Sequence, residues 1–144
     1  MIHEVLALIS GVLEKQHIAV GIQLRPALPA VLGDRVQMQQ VLLNLIMNGI
    51  EAMNNILDRP RLLVIRSDAR DSGLEIAVQD SGTGLDPQHI EHIFDTFFTT
   101  KASGMGMGLS ISRSIIEAHR GRLWASRDPA TQGAIFRFSL PVME

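Results

Sequence analysis

Apolar residues recur at helical spacing from Ile2 to about Gln16, with Val5, Leu6, Ile9, Val12 and Leu13 on one face. From Ile18 to Leu24 the pattern alternates, interrupted by Gly21, and predicts a strand. Two prolines keep Arg25 to Ala30 extended. Asp34 then stands as the N-cap of a long helix, roughly Val36 to Leu57, whose apolar face holds Val41, Leu42, Leu45, Ile46 and Met53; Arg59-Pro60 closes it. Strands follow at Leu62 to Ser67 and Leu74 to Gln79, joined through Asp71-Ser72-Gly73.

Asp80 to Asp86 is a glycine-punctuated loop, and Pro87 opens a short helix near His89 to Phe94. Thr99 to Gly108 has no apolar periodicity and predicts a mobile loop. Helix returns from Leu109 to His119, with Gly121 near its C-cap. Leu123 to Ser126 and Ala134 to Leu140 are the closing strands. Helices interspersed with hairpins predict an α/β (α+β) two-layer sandwich, a mixed sheet of about five strands covered on one face by about three helices.

Composition narrows the class. The chain has 144 residues, 46% of them apolar and 19% charged, which suits one globular domain over residues 1–144. A formal charge of −2 provides no basic field to attract nucleic acid. With no cysteine there is no disulfide scaffold and no thiolate metal site, which is compatible with a reducing compartment. No apolar run reaches about 18 residues and the first residues lack a signal-peptide pattern, so no membrane contact is expected of this domain. Segments beyond it could still anchor a parent protein.

Three segments carry candidate chemistry. Asn44 and Asn48, four apart in VLLNLIMNGIEAM, share one helix face. An exposed polar stripe explains such a pair; so does a magnesium site, in which amide oxygens act as hard neutral ligands beside phosphates and water. Asp80 opens DSGTGLD directly after a strand, where a carboxylate could accept from an exocyclic amine while Gly82 and Gly84 admit a flat ligand. Ordinary turn chemistry produces the same letters. The run GMGMGLSISRSI from Gly104 leads into a helix, so its amides and the helix N-terminus suit phosphate, although a flexible linker is the plain alternative. It follows a polar loop and not a strand, which excludes a dinucleotide fingerprint, and no Gly-Lys-Ser/Thr follows, which excludes a Walker A loop. Lys101 in the preceding loop could reach phosphate as a point charge.

Together the segments resemble the catalytic and ATP-binding domain of two-component sensor histidine kinases. QVLLNLIMNGIEAM is similar to the family's N box, VQDSGTGLD to its G1 box, IFDTFFTTK to its F box and GMGMGLSISRSIIEAHRGRLWA to its G2 box, in the family's order and spacing. With the closing GAIFRFSLP strand the resemblance spans nearly the whole chain, and FFTTK looks most like the branch of oxygen- and nitrogen-responsive sensors. The resemblance implies the fold shared with gyrase-like and HSP90-like ATPases, ATP and Mg2+ as cofactors, and a cytoplasmic setting. It implies Asn48 as the magnesium ligand, Asn44 as its support, and Asp80 with Gly82 and Gly84 at adenine. Thr100, Lys101, Gly104, Gly106 and Gly108 would form a lid over the triphosphate, with Leu109 at the lid's exit. The implied partners are a helical dimerisation and phosphoacceptor domain of the same kinase and, downstream, a response regulator receiver domain.

There are departures. Glu51 stands where some relatives place a basic residue that touches phosphate, and Ala134 offers no hydroxyl for a water bridge to adenine. Asn44 stands where the gyrase-like group carries a water-activating glutamate, which disfavours simple hydrolysis. The family's phosphoacceptor stretch is His-Glu-x-x-x-Pro; His3-Glu4 copies two letters, but the fifth residue past His3 is Leu8. His3, His17, His89, His92 and His119 therefore read as surface or structural histidines, and the chain is expected to bind ATP without phosphorylating itself. The competing reading is a degenerate or serine-directed nucleotide-binding regulatory module of the same fold.

Overall fold

The computed structural model describes residues 2–24, 34–54, 56–70, 73–84, 88, 90, 92–95, 108–130 and 133–141. Along the chain come α1 (Ile2–Leu8), α2 (Ser10–Lys15), β1 (Ile18–Leu24), α3 (Arg35–Ala52), β2 (Arg61–Arg70), β3 (Gly73–Asp80), α4 (Gly108–Ala118), β4 (Arg122–Arg127) and β5 (Ala134–Pro141). The strands form one mixed sheet in the order β1-β2-β3-β5-β4, parallel at β1–β2 and antiparallel elsewhere. The RPALPA stretch, the tip of the β2–β3 turn at Asp71-Ser72 and residues 99–107 of the predicted mobile loop lie outside the described residues.

Register explains why one face is covered. Leu63 pairs with Asp80, Ile65 with Val78, Ile76 with Phe138 and Val78 with Phe136, and these side chains share one face because successive strand residues point to opposite sides. They join a single core with Ile2, Val5, Leu13, Val41, Leu45 and Ile116 from the helices. The opposite face is polar: Arg66 donates to Gln23 (3.1 Å) and Gln79 (2.8 Å), and Arg137 to Ser126 (2.9 Å). Beneath those side chains Val64, Ala77 and Ile135 are nonetheless buried, as long arginine stems cover apolar surface while keeping their charge in water.

The helix α3 is the centre of the layer. Val41, Leu42, Leu45, Ile46 and Met53 are all fully buried, as the apolar periodicity predicts; each contributes roughly 1.5–3 kcal/mol of transfer free energy. Asp34 caps it, its side chain accepting from the Gln37 amide at 3.0 Å. The helix stops at Ala52, five residues before the predicted end. Met53 closes the last turn and Asn54, a weak helix former, begins an irregular path. Arg61 then fixes that path: its guanidinium donates to the Asn54 (2.9 Å) and Ile56 (3.2 Å) carbonyls just past α3, and across to Gln16 (2.9 Å) at the end of α2. One arginine thus joins the segments that follow two helices, a non-local partnership that periodicity does not reveal.

Three other expectations change. The predicted first helix is two, broken at Ile9, where the Ser10 hydroxyl donates to the Ala7 carbonyl (3.1 Å) in competition with the ladder. Described residues of the predicted helix near His89 to Phe94 are turn. At the end of α4 it is Arg120, at φ 62°, that turns left-handed, with the Gly121 amide reaching back to Ile116 (2.9 Å) and the Arg120 amide to Glu117 (3.0 Å). Gly121 serves close packing instead: a Cβ there would collide with the Ser139 carbonyl. Among the described residues no helix is long and apolar enough to cross a membrane.

Gly121→Ala is therefore expected to destabilise the fold by about 2 kcal/mol or more, because backbone must move to admit one methyl. Urea denaturation measures it, and an unchanged midpoint would contradict the collision.

Candidate functional site

The end of β3 delivers Asp80 into the core, where it is 2% exposed. Burying a carboxylate is costly unless donors surround it. Here the Gly82 amide donates to Oδ1 at 2.9 Å and the Ala134 amide reaches the same oxygen at 3.4 Å. Above it lies α3 at Gly49: a Cβ on Gly49 would stand 3.3 Å from Asp80 Cβ and 3.5 Å from Oδ2. Any larger side chain there would push the helix off the carboxylate.

The loop after Asp80 is packed as tightly. A Cβ on Gly82 would lie 2.5 Å from the Ala52 carbonyl, and one on Gly133 would strike the Asp80 carbonyl. Gly84 has φ 79°, a left-handed conformation that suits glycine. Arg59 clamps the turn from outside, its Nε donating to the Ser81 carbonyl (2.9 Å) and its Nη2 to the Gly82 carbonyl. The Ser81 hydroxyl ties the turn to β2, accepting from the Leu62 amide at 2.9 Å and donating to the Pro60 carbonyl at 3.0 Å.

Asn48 is half-buried and adjoins Gly49, so the helix segment that abuts Asp80 also carries this amide. One turn earlier, Asn44 Nδ2 donates to Ser112 Oγ (3.1 Å) and toward the Gly108 carbonyl (3.4 Å). Asp80, Gly82, Asn44, Asn48, Gly108 and Leu109 thus line the C-terminal half of α3, Gly108 beside Asn44 and Asp80 beside Gly49, with Leu109 packed against the core. Thr100, Lys101, Gly104 and Gly106 lie outside the described residues. No group of three or more histidine or acidic residues that could hold a metal occurs among the described residues. A cation here would rely on neutral amides, with remaining ligands from phosphate and water, which is the habit of magnesium.

The other predicted features find plain roles. Glu51 is exposed. Ala134 contributes a backbone donor where a hydroxyl is lacking. His3 and His17 are exposed, His92 meets Asp95 at the surface (3.0 Å), and His89 lies outside the described residues. His119 is structural: Nε2 accepts from the Asp34 amide (3.1 Å) and Nδ1 lies 2.8 Å from the Ile115 carbonyl, tying the end of α4 to the start of α3. Ser112, Arg59 and Gly133 were not singled out from the sequence. Ser112 had a usable signal, since it falls on the apolar stripe Leu109, Ser112, Ile116 of an amphipathic helix.

Comparison with known proteins identifies the family of the chain. The family model described as histidine kinase-, DNA gyrase B-, and HSP90-like ATPase matches residues 33–144. The sensor protein FixL of Bradyrhizobium diazoefficiens is 49% identical over 130 residues, covering 90% of this chain and 25% of that protein. The sensor protein TdiS of Thauera aromatica is 39% identical over 144 residues, covering 99% of this chain and 26% of that protein. The chain thus spans about a quarter of the length of these curated relatives. Among solved structures, the nucleotide-free catalytic domain of histidine kinase ThkA superposes with a TM-score of 0.85 at 34% identity, covering 98% of this chain and 90% of that one.

Replacing Asp80 separates its backbone role from any ligand role. Asp80→Ala strands the Gly82 and Ala134 amides and is expected to cost about 1–3 kcal/mol, whereas Asp80→Asn keeps an acceptor oxygen and should cost about 1 kcal/mol or less. Equal losses by thermal or urea denaturation would contradict the bonding described.

Proposed function

The chain belongs to the histidine kinase-, DNA gyrase B-, and HSP90-like ATPase family as a catalytic domain of the two-component sensor kind, and we propose that it binds Mg-ATP and donates the γ-phosphoryl group to a histidine on a separate dimerisation domain. The observation that carries this reading is the buried Asp80 lying under Gly49, one residue from Asn48 on the same helix.

In this reading Asp80 accepts from the adenine amino group, while the Gly82 and Ala134 amides hold its other bonds and the Gly82–Gly84 turn walls the purine. Asn48 supplies an amide oxygen to magnesium, and Asn44 supports that site. The cation, when bound, neutralises phosphate charge and orients the triphosphate. Thr100, Lys101, Gly104, Gly106 and Gly108 enclose the phosphates from the loop that leads into α4, where freed amides and the helix N-terminus favour anions. With an amide at Asn44 and no carboxylate, α3 offers no base to activate water there, so phosphoryl transfer is favoured over hydrolysis. None of the histidines is set in a phosphoacceptor motif, so the acceptor comes from a dimerisation domain, and a response regulator receiver is the downstream partner. A structure of ThkA in complex with its response regulator TrrA, in which a chain 31% identical to this one overlays with a TM-score of 0.82, supports that kind of partner.

ATP with Mg2+ is expected to raise the melting temperature of the chain, since a ligand bound only by the folded state stabilises it by about 2.7 kcal/mol at a hundred times its Kd. Asn48→Asp and Asp80→Asn should each abolish that shift while remaining folded; an undiminished shift in both variants would refute the assigned site. With γ-labelled ATP the chain alone should stay unlabelled, and an added dimerisation domain bearing the acceptor histidine should take up label. Bound nucleotide with no label on that histidine would count against transfer.

A further inference from the structure

Three polar side chains are buried among the described residues: Ser67, Asp80 and Ser112. Asp80 is absorbed by the site above. Ser112 is the unusual one, a hydroxyl at 0% exposure in the middle of α4, on the stripe that Leu109 and Ile116 devote to packing. Its partner is the Asn44 amide of α3, at 3.1 Å.

The second contact of that amide settles its orientation. A peptide carbonyl only accepts, so the group facing the Gly108 carbonyl must be the NH2 of Asn44. The Nδ2 end of the amide is then directed at α4, with the Gly108 carbonyl at 3.4 Å and the Ser112 hydroxyl at 3.1 Å. In a planar amide this turns Oδ1 to the other side. Of the two bonds, that to Ser112 is the one within the usual N–H···O range; the contact to Gly108 is long and weak. An asparagine without this anchor can rotate end for end, and the rotated form would show N–H groups to a cation where an oxygen is wanted.

We propose that Ser112 is a positioning residue for the cation site: it holds Asn44 with its amide oxygen available to Mg2+ and thereby couples α4 to the metal-binding face of α3. This inference rests on the Mg-ATP reading of the site and extends it to a residue on another element. The same bond joins the first turns of α4, which follow the glycine-rich loop, to the helix that carries Asn48. A change in the seating of α4 would therefore be felt as a change in metal affinity.

The test is a Mg2+ titration of nucleotide binding by calorimetry, made on the chain and its Ser112→Ala, Asn44→Ala and doubly substituted forms, with a parallel measurement in EDTA. Alanine is a better helix former than serine, so α4 is retained; Ser112→Cys fills similar space with only a weak acceptor and should behave alike. Expected is a rise of about tenfold in the Mg2+ concentration for half-maximal binding in Ser112→Ala, with unchanged affinity in EDTA and no further shift once Asn44 is alanine. A shift that persists in the Asn44→Ala background, an equal loss in EDTA, or no shift at all would overturn the positioning role while leaving the nucleotide site standing. Absence of nucleotide binding by the unaltered chain would instead overturn the proposed function, and this inference with it.

Discussion

The close approach of α3 to the end of β3 is the constraint from which the site follows. At Gly49 the helix has no side chain to hold it away, and it settles onto Asp80 so closely that a Cβ there would stand 3.3 Å from Asp80 Cβ. That contact hides a carboxylate from water, a state tolerated because the Gly82 and Ala134 amides satisfy Oδ1. Gly82 and Gly133 lack side chains for a related reason, as each allows backbone to pass close enough for those amides to arrive. Three glycines, distant in sequence, thus serve one buried acid.

The rest of the layer keeps α3 in that position. The sheet lies under it, α1 flanks it with Glu4 bonded to Arg35 and Gln39, and α4 packs against it, tied at mid-helix by Asn44 with Ser112 and at its C-terminal end by His119 with the Asp34 amide. The Glu4 contacts are exposed and contribute little, whereas burial of Val41, Leu42, Leu45, Ile46 and Met53 makes the helix hard to displace. The opposite face of the sheet, with its arginine and glutamine network, is left to solvation.

Much of this was legible along the chain because the informative residues act locally. Asp34 caps the helix it precedes, the apolar face of α3 follows its own period, and the strands show their alternation. Asn44, Asn48 and Asp80 stand out as polar residues set into or directly after strongly apolar runs, and all three lie along the C-terminal half of α3. What could not be read depends on partners far away in sequence. The path after α3 rests on Arg61, the burial of Ser112 on Asn44, and the shape of the Asp80 turn on Arg59 and Gly133. The need for glycine at position 121, just past α4, arises from Ser139 two strands on, and the left-handed turn falls one residue earlier at Arg120.

The parallel pairing of β1 with β2 has a kinetic side. Ile18 faces Arg61, so the whole of α3 intervenes before the two strands can register, whereas β2 and β3 meet across a short turn. Loop-closure entropy makes the local hairpin the quick event and the parallel edge the slow one. Having a neighbour on one side only, the edge strands β1 and β4 are expected to release their amides to solvent exchange first, while β3, at the centre between β2 and β5, is expected to hold its protons longest. The carboxylate would then sit on the slowest-exchanging strand of the sheet.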